Sequence, residues 1–234
     1  MTHAAIKSGR FDKVIANDLS VAPQVFKKAV EQGADDWIEW VSREEFKELD
    51  TNTVDGLAKA LIFGFGYKIS SYKYSPDNEI KQKKLFEHSL LTGERPCERC
   101  RALEVGNAVA HVRGSVDVSS LVISQTDYSD VDIPCGSVVY ADPPYKGTAK
   151  YGRAKNKIVF DYDRFYRFLD ESDFPIFVSE FSCPSCCTRI ASVVRTQSLG
   201  NSNNCRRREG LYIQSRFVDW YREARPDVVL ECDC

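Results

Sequence analysis

The chain has 234 residues, of which 43% are hydrophobic and 12% aromatic, enough to bury the core of one ordinary domain with room for an inserted subdomain. A formal net charge of -2 and a pI near 6.0 exclude a histone-like protein that holds nucleic acid by bulk charge, but not an enzyme that meets DNA through one local basic face. No run approaches the roughly 20 apolar residues of a bilayer span, residues 1–10 lack the apolar core of a secretory signal, and nine cysteines without an export signal read as reduced thiols of a cytoplasmic protein.

In chain order, Phe11-Asp-Lys-Val-Ile-Ala-Asn17 is a short β-branched run that predicts a buried strand ending at Asn17-Asp18. Ser20 stands where a helix N-cap belongs, Val21, Val25, Ala29 and Val30 recur at helical spacing, and Gly33 is placed to stop the helix. From Asp35 to about Val118 the pattern changes. Trp37, Trp40, Val41 and Phe46 sit at helical spacing, as do Leu57, Ala58, Leu61 and Ile62, and both sets read as core. An aromatic, glycine-rich stretch from Phe63 to Tyr74 leads into a charged helix over Asn78–Leu91 with Lys81, Lys83 and Lys84. Residues 35–118 are therefore expected to be a mostly helical insertion outside the sheet.

Strand character returns at Ser120–Ser124 and Ser137–Ala141. Phe165, Phe168 and Leu169 predict a helix, and Pro175–Ser179 another strand. Val193-Val194 and Leu211-Tyr-Ile213 predict the last two strands, on either side of a polar loop from Ser198 to Gly210. Strands alternating with helices predict an α/β fold with a largely parallel sheet and helices on both faces.

The segment richest in chemistry is Gly136-Ser-Val-Val-Tyr-Ala-Asp-Pro-Pro-Tyr145. An apolar strand runs into an acid, two prolines and an aromatic residue, at the strand end where open α/β sheets bind ligands. The prolines fix the backbone and remove two N–H donors, so carbonyl acceptors are left. A planar exocyclic amine stacked on Tyr145 could donate one hydrogen to Asp142 and the other to the Pro143 carbonyl. Its lone pair would then turn toward an electrophile, and positioning with electrostatics would supply the catalysis. The bland alternative is an ordinary proline turn, since a tetrapeptide this short recurs by chance.

With its neighbours, this segment resembles the Dam-type DNA adenine N6-methyltransferases, in versions common in phages and prophages. Val14-Ile-Ala-Asn-Asp18 resembles the family's second strand, and Phe63-Gly-Phe-Gly66 with Tyr72-Lys-Tyr74 resembles its helical insertion. Ser124-Gln-Thr-Asp-Tyr128, Lys146-Gly-Thr148, Phe160-Asp161, Val178-Ser-Glu180 and Glu209-Gly-Leu-Tyr212 continue in the family's order over nearly the whole chain. The resemblance implies a Rossmann-like S-adenosylmethionine-dependent sheet, with residues 1–34 and 119–234 as the catalytic domain and residues 35–118 as the DNA target-recognition region. It further implies catalytic roles for Asp142, Pro143, Pro144 and Tyr145. Asp18 would hold the cofactor ribose, Asp127 and Tyr128 would meet the cofactor adenine, and Asp142 would border the same pocket. The substrate would be an adenine flipped out of double-stranded DNA, because a paired base cannot present its amine to a buried pocket.

One departure stands out. The family carries a first strand and a Phe-x-Gly-Gly-Gly loop ahead of the strand ending at Asp18, and residues 1–16 hold no such turn. The expectation is a catalytic sheet whose central first strand is missing, with a separate N-terminal segment as a candidate partner. The alternative of a different class, a catalytically silent DNA-binding protein, follows from the same loss.

Basic residues cluster at Arg206-Arg-Arg208, beside Asn201, Asn203 and Asn204, and after the tetrapeptide at Lys146, Lys150, Arg153, Lys155 and Lys157. Lys146, Arg206, Arg207 and Arg208 are the candidate phosphate contacts, against the bland reading of solvated surface runs. Cys97-Glu-Arg-Cys100 and Cys183-Pro-Ser-Cys186 have zinc-ligand gaps, but they fall in different parts of the predicted fold, so thiols without metal are the default. His3, His88 and His111 match no ligand spacing.

Overall fold

The computed structural model describes residues 1–32, 39–65, 68–92, 117–146, 160–182, 184–199 and 203–226. They are mixed α/β and divide into two compact units, Met1–Val131 and Asp132–Cys234.

In the first unit, α1 (Thr2–Ser8) precedes β1 (Val14–Asn17), which pairs in parallel with β4 (Leu121–Ser124), Val14 opposite Leu121. A parallel pair needs a long crossover, and the helices between the two strands supply it. Helix α2 (Ala22–Gln32) buries Val25, Ala29 and Val30, with Val21 buried just ahead of it, as the spacing predicts. Ser20 Oγ accepts the Ala22 N–H at 3.2 Å. Helix α3 (Arg43–Glu48) starts with a reciprocal capping box between Ser42 and Glu45. Helix α4 (Val54–Phe63) is capped by Thr53, whose hydroxyl accepts the Gly56 N–H at 3.1 Å. Leu57, Ala58, Ala60, Ile62 and Phe63 of α4 meet Val21, Val25, Val41 and Phe46 in one core.

The aromatic, glycine-rich stretch adds a short antiparallel pair, β2 (Gly64–Phe65) with β3 (Lys68–Tyr72), ahead of α5 (Pro76–Thr92). Trp40 packs as expected, stacked on Tyr74 at 5.6 Å and edge-on to Phe63 at 5.3 Å; Trp37 lies outside the described residues.

Lys73 is drawn into this cluster. Its ammonium donates to the Ile62 carbonyl at 2.7 Å and lies 4.9 Å from the Tyr74 ring centroid and 5.4 Å from that of Phe63. Burial pulls its pKa down to about 8, and burial likewise pushes Tyr72 and Tyr74 upward. Between about pH 8 and the ordinary lysine value, the unfolded chain holds a proton that the folded chain has released, so stability rises with pH. Above about pH 10 the tyrosines reverse the slope, because the unfolded chain then loses protons that the folded chain keeps. Denaturation midpoints should therefore climb from pH 8 to about pH 10, and Lys73→Met should flatten that climb. A flat wild-type profile over this window would refute the buried-lysine account.

In the second unit, β5 (Val139–Ala141) pairs in parallel with β6 (Ile176–Glu180), Val139 opposite Ile176. Strands β7 (Cys187–Leu199) and β8 (Asn203–Gln214) form a long antiparallel hairpin, and the sheet order is β5-β6-β8-β7. Helix α6 (Tyr162–Glu171) buries Phe165 and Leu169, and α7 (Val218–Ala224) packs Val218 on Ile190 and Ile213. A buried glutamine ties these elements together. Gln214 accepts the Ile176 N–H at 2.7 Å and donates to the carbonyls of Leu169 and Phe174 at 3.1 and 3.2 Å.

Two expectations are corrected here. The described residues do not form one largely parallel sheet; they form short sheets of mixed direction. Leu199 and Asn203 are too close in sequence for a parallel crossover, so β7 and β8 must run antiparallel. The second correction concerns Ser198–Gly210, expected to be a polar loop. Residues 203–210 are instead the first part of β8, paired with β7 from Leu199 back to Ser192. Only Phe177–Glu180 of β6 pair with β8, at residues 210–213. Beyond that point the ribbon borders no third strand among the described residues, and so carries no apolar alternation. On their other edges, β1 and β5 have no strand partner among the described residues.

Candidate active site

Strand β5 delivers its carboxyl end to Asp142-Pro-Pro-Tyr145, and each residue of the turn has a distinct environment. Asp142 is exposed and Pro143 is buried. The Pro144 carbonyl accepts the Tyr162 hydroxyl at 2.7 Å, so this acceptor is already used. No described residue donates to the Pro143 carbonyl. The turn thus sets an exposed carboxylate next to a rigid carbonyl to which no described residue donates.

Tyr145 is held at its far end. Its hydroxyl is 2.8 Å from Ser179 Oγ on β6 and donates at 2.8 Å to Glu209 on β8. Phe181 meets its ring edge-on, with centroids 4.6 Å apart. Burial, with the neighbouring acids, raises the phenol pKa well above the ordinary tyrosine range, so this hydroxyl stays protonated.

Glu180 holds the next residue. Its carboxylate accepts the Lys146 N–H at 3.1 Å and its own neighbour Phe181 N–H at 2.7 Å. The side chain is 1% exposed, and a buried charge must be bonded to be tolerated. Burial, reinforced by the charge of Asp142, raises its pKa even though both N–H bonds favour the ionised form. Lys146 is exposed and its ammonium lies 5.7 and 5.8 Å from the ring centroids of Tyr162 and Tyr166.

In the first unit, the residues expected to hold the cofactor collect at the carboxyl ends of two adjacent parallel strands. Asp18 follows β1 and Asp127-Tyr128 follow β4. Asn17 joins the two ends, donating to the Thr126 carbonyl at 3.0 Å and accepting the Thr126 N–H at 3.1 Å. Asp18 is exposed and one of its oxygens accepts the Ser20 N–H at 2.7 Å. Asp127 accepts both the N–H and the hydroxyl of Ser129, which fixes the turn that carries Tyr128. Each strand end thus carries an acid, and Tyr128, half-buried, stands between half-buried Asp127 and exposed Ser129.

Among the candidate DNA contacts, Arg206, Arg207 and Arg208 stand in β8 opposite Thr196, Arg195 and Val194. They are ribbon residues, not loop residues. Arg208 is exposed and donates to Ser192 Oγ at 3.1 Å. Lys150, Arg153, Lys155, Lys157 and Asn201 lie outside the described residues, as do Cys97, Cys100, Cys183 and His111. No cluster of metal-ligating side chains occurs among the described residues, and no described helix is long and apolar enough to cross a membrane.

Sequence reasoning gave no role to Tyr162, Ser179, Glu180 or Glu209, although all four hold the tetrapeptide and its neighbour. For Glu180 a signal existed, because an acid closing the apolar run Ile176-Phe-Val-Ser179 has to find donors. The partners of Glu209 and Tyr162 come from distant sequence and left no local trace. The chain matches no protein-family model and none of the curated proteins with which it was compared.

Proposed function

We propose that this chain is a DNA adenine N6-methyltransferase acting on an adenine flipped out of the duplex. The observation that carries the reading is the Asp142-Pro143 pair, an exposed carboxylate beside a carbonyl that no described residue occupies, with an anchored aromatic ring two residues on. An aminopurine has two amine hydrogens and a flat face, and this turn offers an acceptor for each hydrogen and a ring for the face.

S-adenosylmethionine would supply an electrophilic methyl group. The chain's own residues account for the rest. Asp142 and the Pro143 carbonyl hold the two N–H groups, which draws the nitrogen lone pair out of conjugation. On transfer the nitrogen gains a methyl and must shed one proton, and Asp142 already holds one of them. Tyr145 stacks on the base. Asp18 would bind the ribose hydroxyls, with Asp127 and Tyr128 at the cofactor's purine. Lys146 and Arg206–Arg208 would contact phosphates.

The parallel pairs β1–β4 and β5–β6 are compatible with the Rossmann-like sheet of this reading. Among the described residues, β1–β4 has no strand partner on either outer edge, and β5–β6 has none beside β5. The test is direct. The protein is incubated with tritiated S-adenosylmethionine and adenine-containing duplex DNA, and the digested product is searched for labelled N6-methyladenine. Label in that nucleoside supports the reading. DNA that is retained but unlabelled, with no heat of cofactor binding, would replace it with the silent DNA-binding protein.

A further inference from the structure

We infer that Glu209 is a positioning residue, which with Ser179 fixes the ring of Tyr145 in one orientation. Three oxygens form a closed triangle: Tyr145 Oη to Ser179 Oγ, Tyr145 Oη to Glu209 Oε1, and Ser179 Oγ to Glu209 Oε1, each 2.8 Å. Only two hydroxyl protons are available for these three contacts. An ionised carboxylate is an acceptor only, so both hydroxyls donate to it and the Tyr145–Ser179 contact is left without a proton of its own. Glu209 is therefore the node, and Ser179 the brace that shares it.

The supports are rigid. Ser179 lies in β6 and Glu209 in β8, and these strands pair directly, Ser179 opposite Leu211 and Glu180 opposite Gly210. Gly210 keeps the node in place: a Cβ there would come within 2.4 Å of the Tyr212 ring, which folds across it and is itself buried. At its other end Tyr145 is fixed by Pro144, whose carbonyl is tied to Tyr162, and by the Glu180 bonds to the Lys146 and Phe181 N–H groups. Phe181 packs against the ring nearly perpendicular to it. Held at backbone, ring and hydroxyl, the side chain has lost its freedom before any ligand arrives, which is what a preorganised stacking surface requires. Its use for stacking a base rests on the methyltransferase reading; the locking of the ring does not.

The experiment has two arms. In the first, the full chain is labelled with 3-fluorotyrosine, the Tyr145 signal is identified by its loss in Tyr145→Phe, and ring flipping is followed by fluorine NMR. Wild type and Glu209→Gln, whose amide oxygen still accepts both hydroxyls, should give slowly exchanging orientations, and Glu209→Ala an averaged signal. Slow exchange persisting in Glu209→Ala would overturn the inference, as would averaging in wild type.

In the second arm, methyl transfer is measured against DNA concentration. Tyr145→Phe, which keeps the stacking face, and Glu209→Ala should each lose about tenfold in kcat/KM, the worth of one anchoring hydrogen bond. Glu209→Gln should stay near wild type. If ring flipping responds as expected and no variant, wild type included, transfers methyl to adenine, the positioning role is upheld and the methyltransferase reading falls. Undiminished transfer in both Tyr145→Phe and Glu209→Ala would show that the lock does not serve the reaction.

Discussion

On the methyltransferase reading, Asp142→Ala should lower methyl transfer to adenine by at least about a hundredfold, the scale on which removal of one preorganised polar contact to the reacting group acts. The substitution takes away one of two acceptors for the amine, so the nitrogen keeps more of its ring conjugation in the bound state. It also takes away the carboxylate that, on that reading, would receive the departing proton. Folding should not suffer. Asp142 is exposed, and its charge opposes ionisation of the buried Glu180. The variant should therefore melt at or slightly above the wild-type temperature, because removing that charge eases the burial of Glu180. Loss of activity with retained or raised stability marks a residue kept for chemistry. Tritium transfer and a melting curve on the same preparation decide the matter: undiminished transfer, or a melting point lowered enough to explain the loss, would exclude this role.

Gly56→Ala should destabilise the first unit by on the order of 2–4 kcal/mol, the sum of a lost helix cap and an overpacked contact. A Cβ at this position would stand 2.0 Å from the Asp50 carbonyl oxygen and 2.8 Å from Thr53 Oγ1. The oxygen is backbone and is engaged, since it accepts the Thr53 N–H at 3.2 Å and the Thr53 hydroxyl at 2.8 Å. Neither partner can move without opening the turn that starts α4, and α4 carries much of the unit's core. Hydrogen exchange of the amides over residues 54–63 should accelerate in step. Thr53→Ala, which removes only the cap, gives the comparison at about 1 kcal/mol. If Gly56→Ala cost no more than Thr53→Ala, the steric account would be wrong.

Much of the local architecture was legible because it follows from chain-local rules. The spacing of Val21, Val25, Ala29 and Val30 and the β-branched run ending at Asn17 announced α2 and β1. The aliphatic segments at 121–124 and 176–179 announced β4 and β6 in the same way, and all of these elements form. The tetrapeptide could be singled out because a carboxylate, two residues without N–H groups and an aromatic are properties of the sequence itself. The β7–β8 ribbon failed on the same rules. Over residues 203–209 no third strand flanks the pair among the described residues, and Asn203-Asn-Cys-Arg-Arg-Arg-Glu209 has no apolar alternation and reads as loop.

By itself, then, the sequence determined those helices and strands that carry an apolar period, and that an acidic, donor-poor turn follows a strand. Those outcomes depend on side-chain period and on the dihedral limits of proline. Only the tertiary structure decided what holds that turn: the hydroxyl of Tyr162 on one carbonyl, Glu180 beneath Lys146, and Ser179 with Glu209 on the far end of Tyr145. Hydrogen bonds reach across 18, 34 and 64 residues of chain to do so. Such partners are chosen by strand order and register, which no local run of residues encodes.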